Sequence, residues 1–201
     1  MAVLSRAELR RRERQRRKAV KREQIHRDIV MRYKDTDGGK AAVYADNGKC
    51  DGRALAFIFV AETLNERYGW GKDWIGEFLE KCNREAARYS EPGVRFAFEH
   101  YLEIVEYFTC RMKGLNTGRN IMESVYYLNR NTFFQSGMAV MITILFSDYG
   151  WRNNKEHTGK LDKVAEEAVK KFESMQKDAD MNISKYLQEL AEKTGFEFDN
   201  E

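Results

Sequence analysis

Proline occurs once in the 201 residues of this chain, at Pro92. Sheet-rich folds use proline and glycine at many tight turns, so a chain almost without proline is free to run in long helices. A hydrophobic content of 42% with 12% aromatic residues belongs to a folding chain rather than a disordered one. The length suits one domain with a real core, or two small ones. The fold class that follows is all-α.

The charge is divided unevenly. Residues 1–34 carry thirteen Lys or Arg against four acids, a net of +9, while the rest of the chain nets −6. Ser5 with Glu8 fits a capping box and Leu4 with Leu9 its hydrophobic staple, so a helix is expected from the start of this segment. At about 100° per residue, Arg6, Arg17, Arg10, Lys21, Arg14, Lys18, Arg11 and Arg22 spread successively over about 160° of that helix. Glu8, Glu13 and Glu23 fall on the other side, where Glu8 can meet Arg12 and Glu23 can meet Arg27 at i, i+4. A merely solvated helix scatters its charges, whereas this one gathers them on a single face. Arginine predominates, and its planar fork suits phosphate or carboxylate. Three roles fit: contact with nucleic acid, which is the leading expectation, contact with an acidic protein surface, or a solubilising tail. The face offers no apolar side to insert into a membrane.

No stretch reaches the roughly 18 to 20 apolar residues of a membrane span. The nearest, Met138 to Phe146, reads as a buried core helix. The N-terminus lacks a signal-type apolar segment, and its acids argue against a transit peptide, so a cytoplasmic location is expected. Cys50, Cys82 and Cys110 are scattered without a CxxC, which fits reduced thiols. Cys82 and Cys110 read as core positions and Cys50 as a loop residue.

Organisation along the chain follows from punctuation. After the basic helix (1–34), residues 35–52 read as a polar Gly/Asp connector, a flexible linker whose aspartates lack EF-hand spacing. An apolar helix is expected over about 53–67, then an amphipathic one over 72–88 with Trp74, Ile75, Phe78, Leu79 and Cys82 toward a core. After a turn at Ser90 to Gly93, a third covers about 94–112 and presents Phe98, Leu102, Val105 and Phe108. A glycine- and asparagine-rich turn, Gly114 to Asn120, leads to helices near 121–130 and 133–148, and the stretch 114–132 joins the two halves of the body. An amphipathic helix over about 157–178 and a short one over about 183–194, closed by Gly195, complete the chain.

Tyr68-Gly69-Trp70 recurs as Tyr149-Gly150-Trp151, each after an apolar helix and before an amphipathic one. Tyr101-Leu102 and Tyr186-Leu187 follow in the same order, at an offset that drifts from 81 to 85 residues, with extra residues near Asn153 to His157. The expected body is therefore two related three-helix units, 53–113 and 133–201, forming two lobes. An aromatic beside a glycine at a helix end reads first as a packing anchor and second as a platform for bases. Tyr126-Tyr127 and Phe133-Phe134 likewise read as core or interface.

The stretches Ser5 to Arg17, Tyr68 to Leu79 and Asn182 to Phe196, under half of the chain, carry a resemblance. Their order of basic helix, Tyr-Gly-Trp-Gly-Lys turn and short capped helix resembles a loose group of small uncharacterised helical proteins from phages and prophages of Gram-positive gut bacteria. Lys72 of the first turn has no counterpart in the second. The resemblance implies an origin in a mobile element and a bacterial host. It brings neither an activity nor catalytic residues.

Catalytic patterns are not found: there is no GxSxG, no P-loop and no GxGxxG, and His26, His100 and His157 lie far apart. The pairs Glu62/Glu66 and Glu99/Glu103 have the spacing of bundle metal ligands but lack Glu-x-x-His, and read as solvated faces. No cofactor or metal is expected, and no enzyme. The sequence thus points to a binding protein whose arginine-rich helix contacts nucleic-acid phosphates. The alternative, by analogy with the phage group, is a protein inhibitor of a host nucleic-acid machine or defence system, such as a CRISPR effector or RNA polymerase. Dimerisation of the body is left open.

Overall fold

The computed structural model describes residues 39–89, 95–153, 158–178 and 182–196. The basic segment 1–34, the turn around Pro92 and the inserted residues 154–157 lie outside them. Among the described residues there are six helices and no strand. These are α1 (39–68), α2 (Lys72–Arg88), α3 (Arg95–Thr109), α4 (Ile121–Ser147), α5 (Lys160–Met175) and α6 (Ile183–Thr194). The all-α class holds. No helix of the described residues is long and apolar enough to cross a membrane.

The spine is a pair of parallel helices, α1 and α4. Their contacts advance together along both chains: Gly48 against Tyr126 and Asn129, Gly52 against Arg130 and Phe134, Ala56 against Gly137. A Cβ on Gly48 would stand 2.4 Å from the Tyr126 carbonyl oxygen, and one on Gly52 would stand 2.3 Å from that of Arg130. Only glycine admits backbone so close. Gly48, Gly52 and Ala56 are spaced by four and so share one face of α1, a strip of small residues along which α4 lies.

That strip corrects the expected connector. Residues 39–52 are helical and continuous with 53–68 rather than a linker. Glycine costs an exposed helix about 1 kcal/mol relative to alanine, but here it faces a second helix and the cost is offset by packing. Of the connector's aspartates, Asp35 and Asp37 lie outside the described residues, Asp46 takes Lys49 at 2.7 Å, and the half-buried Asp51 accepts from the Tyr126 hydroxyl of α4 at 2.5 Å. The helices expected near 121–130 and 133–148 are one, α4, so 121–132, expected to join two units, is the first half of that helix. Its polar run does not interrupt the helix, because Asn129 donates to the Val125 carbonyl and Thr132 to that of Leu128, both at 2.8 Å. Asn120 and Glu123 close the N-terminus reciprocally: the Asn120 side chain accepts from Glu123 N at 2.9 Å, while Glu123 accepts from Arg119 N at 2.6 Å.

The remaining helices cover the spine. α2 turns Ile75, Phe78 and Cys82 inward, and α3 turns Tyr101, Ile104 and Val105. Two placements differ from expectation. Trp74 is exposed because it lies about 100° around the helix from Ile75. Cys110 is exposed because α3 ends at Thr109. From α5, Phe172 stacks on Phe134 of α4 at 3.9 Å and meets Phe59 of α1 edge-on at 6.5 Å. Tyr186 of α6 meets Phe59 from another side at 5.6 Å. Gly195, at φ 70°, closes α6 as expected.

Two lobes are not formed. One buried cluster draws on all six helices, and the expected units interleave: α3 lies on α4, with Tyr101 against Phe146 at 5.0 Å, while α6 lies on α1.

Replacing Gly52 by alanine should force the spine helices apart and lower stability by about 1–3 kcal/mol. Gly39→Ala, where a Cβ meets nothing within 4 Å, should raise it by about 0.5–1 kcal/mol through helix propensity. Urea-unfolding midpoints of the two variants separate these outcomes. Equal midpoints would contradict the close approach.

Candidate functional site

The two Tyr-Gly-Trp turns end the spine helices in the same way and pack against each other. Trp70 N–H donates to the Leu64 carbonyl six residues back (3.4 Å), as Trp151 N–H does to that of Leu145 (3.0 Å). Gly69 and Gly150 sit at φ 69° and 66°, the left-handed conformation that this helix ending requires. Across the pair the contacts are exchanged. Tyr68 meets Trp151 at 4.6 Å, Trp70 meets Tyr149 at 4.9 Å, and the two tryptophans meet at 5.8 Å. Residue i touching j while the equivalent of j touches that of i is the pattern of a local two-fold axis. Trp70 is buried and the other three rings are half-buried, so these turns are packing anchors.

Cations rest on this cluster. The Lys81 ammonium lies 4.5 Å over Tyr149, and that of Lys160 lies 5.2 Å from the centre of Trp151 and 5.7 Å from Tyr68. Arg152 donates to the carbonyls of Phe146 and Trp151 at 2.9 and 2.8 Å, covering the end of α4. The cluster surfaces at Trp74, which leans on Trp70 at 5.7 Å and on Tyr149 at 6.1 Å.

Two further polar groups are structural, and neither was legible beforehand. Arg130 is fully buried on α4. Its guanidinium lies 4.7 Å over Tyr127, 5.5 Å over Phe172 and 5.8 Å over Tyr126, and donates to the Gln176 side-chain oxygen at 2.5 Å. Burial lowers its pKa, and the Tyr126 and Tyr127 phenols oppose that shift. The half-buried Tyr126 and Tyr127 thus cover the Arg130 guanidinium, and of the neighbouring pair Phe134 is core while Phe133 carries Arg53 at 4.9 Å.

Of the pair expected as a solvated face, Glu66 is exposed but Glu62 is turned inward. Glu62 is only 4% exposed. It accepts from Lys171 of α5 at 3.1 Å and from Lys193 of α6 at 2.9 Å, and both lysines also reach Glu66. This four-charge network, with Arg67–Glu167 beside it at 2.5 Å, ties α5 and α6 to α1. Glu99 and Glu103 are exposed, as is His100. No group of three or more potential metal ligands occurs among the described residues. A groove of about 420 Å³ between the end of α3 and α5 is lined by Tyr107, Arg111, Lys170 and Glu173, among others. Lys170 turns to Glu166 at 3.1 Å, and Glu173 accepts from Lys113 N at 2.8 Å.

The residues of the basic face, Arg6, Arg10, Arg11, Arg14, Arg17, Lys18, Lys21 and Arg22, all lie outside the described residues. No known family model, curated protein or solved structure matches the chain.

The Glu62–Glu66–Lys171–Lys193 network fixes a pH dependence. Burial works to raise the Glu66 carboxyl, but the Lys171 and Lys193 ammonium groups outweigh it and the pKa is lowered. Its hydrogen bond to Glu62 raises Lys193 against burial. A lowered carboxyl contributes stability above its ordinary pKa, lost as pH falls through the folded value. A raised lysine contributes below its ordinary pKa, lost as pH climbs through the folded value. Urea midpoints should therefore be flat through neutral pH and fall on acidification below the ordinary glutamate range. Glu66→Gln should shrink that acid-side fall, and an unchanged fall would remove Glu66 from the account.

Proposed function

We propose that the protein is a non-enzymatic nucleic-acid-binding protein of a bacterial cytoplasm, in which the arginine-rich segment 1–34 contacts phosphates and the helical body carries it. The observation behind this reading is the division of charge, +9 on the first 34 residues against −6 on the rest. A continuous row of arginines gives affinity for any phosphate backbone with little choice of sequence. Arg10, Arg14, Arg17, Lys18 and Lys21 are the principal contacts.

The body's ion pairing supports this reading over that of a phage inhibitor presenting an acidic surface. Many of its acids are answered by its own cations: Glu62 and Glu66 by two lysines, Glu77 by Lys81, Glu85 by Arg88, Glu166 by Lys170 and Glu167 by Arg67. An acid paired within the body has less charge to offer a basic partner.

The test is binding of the full chain to labelled DNA and RNA across a salt series, beside a variant with Arg10, Arg14, Arg17, Lys18 and Lys21 changed to glutamine. Affinity should fall steeply with salt. On duplex DNA the variant's slope should flatten by about 0.9 for each phosphate that is no longer neutralised. Absence of binding at low salt would overturn the reading and turn the search to a protein target.

A further inference from the structure

Trp74 is 55% exposed, more than any other tryptophan, tyrosine or phenylalanine of the described residues. Single exposed apolar side chains are ordinary; what sets Trp74 apart is that other rings brace it at the surface. The register of α2 does so: Ile75, Phe78 and Cys82 face the core and leave Trp74 beside them at the surface. Its inner side leans on Trp70 at 40° and on Tyr149 at 48°. The ring is therefore braced, and a flat ligand laid on its outer side would lose little freedom in ordering it.

We propose that Trp74 is a stacking platform for an unpaired base of single-stranded nucleic acid, which makes the protein prefer single strands over duplexes. The inference rests on the nucleic-acid reading above and adds the form of the ligand. Every base has a π-face, but a duplex buries those faces in its own stack, so only an unpaired base can lie on a protein ring. The chemistry around Trp74 fits a base with its backbone nearby. Lys81 stands over Tyr149, the ring on which Trp74 leans, while Lys160 and Arg152 lie on the Trp151 side of the cluster. Asp73, Glu77 and Asp148 are close in sequence to these groups, and Glu77 holds Lys81 at 2.6 Å, so the patch is not strongly basic. The labour is divided accordingly: the arginine-rich segment supplies the long-range attraction to phosphates, and the aromatic end supplies contact with a base.

The experiment uses the full chain and its Trp74→Ala and Trp74→Phe variants, with anisotropy of a labelled oligothymidylate and of a duplex of the same length. Circular dichroism melts check that both variants fold. Trp74→Ala should weaken single-strand binding roughly tenfold or more, while Trp74→Phe, which keeps a ring, should recover most of it. Duplex affinity and the salt slope should not move, since neither depends on this ring. Single-strand binding that survives Trp74→Ala but is lost on neutralising the arginine row would overturn the platform and leave the phosphate reading standing. An equal loss on single strand and duplex would also overturn it. If the unaltered protein binds neither probe at low salt, both readings fall, and the exposed tryptophan is then a protein contact.

Discussion

The Arg130 carbonyl oxygen occupies the space that a side chain on residue 52 would need, and the Tyr126 carbonyl does the same to residue 48. This contact between two backbones sets the distance between α1 and α4, and the other helices take their positions from it. α3 and α2 pack on α4, α6 packs on α1, and α5 reaches both through Phe172. Ile58, Val60, Ala61 and Leu64 of α1 and Met138, Ile142 and Leu145 of α4 are then fully buried in one continuous core.

Polar groups inside that core show how the packing is made specific. A buried guanidinium is costly unless its surroundings answer it. Arg130 meets three aromatic faces and a carboxamide that also accepts from Asn116 N at 3.2 Å, so it joins α4, the end of α5 and the loop before α4. Glu62 does the same among α1, α5 and α6. Apolar packing alone tolerates sliding of one helix along another, whereas these groups find partners in one register only.

Helices with unambiguous ends could be read directly. α6 was announced by Gly195, and the twin turns by glycines that end apolar runs. Residues 39–52 misled because Gly and Asp together signal a turn, and only the spacing of Gly48, Gly52 and Ala56 hints at a close helix contact. Glu62 could not be read as buried, since its partners lie 109 and 131 residues away in sequence. Trp74 sits at the edge of an apolar arc, where periodicity does not decide between core and surface. The basic face lies outside the described residues, so its part in the candidate site rests on sequence spacing alone.

The parallel spine brings together residues 81 positions apart: Gly48 with Asn129, Ala56 with Gly137, Trp70 with Trp151. A Cβ on Gly137 would come within 3.0 Å of the Ala56 methyl. Two methyl groups at that crossing would press closer than ordinary van der Waals contact, so a neighbour must give by a few tenths of an ångström, and volume added on one helix is best matched by less on the other. Residues that face each other along the spine are therefore favoured to differ in size. Any likeness between the two halves of this chain should be faintest where they touch most closely and clearest at the turns, where two large rings can lie side by side.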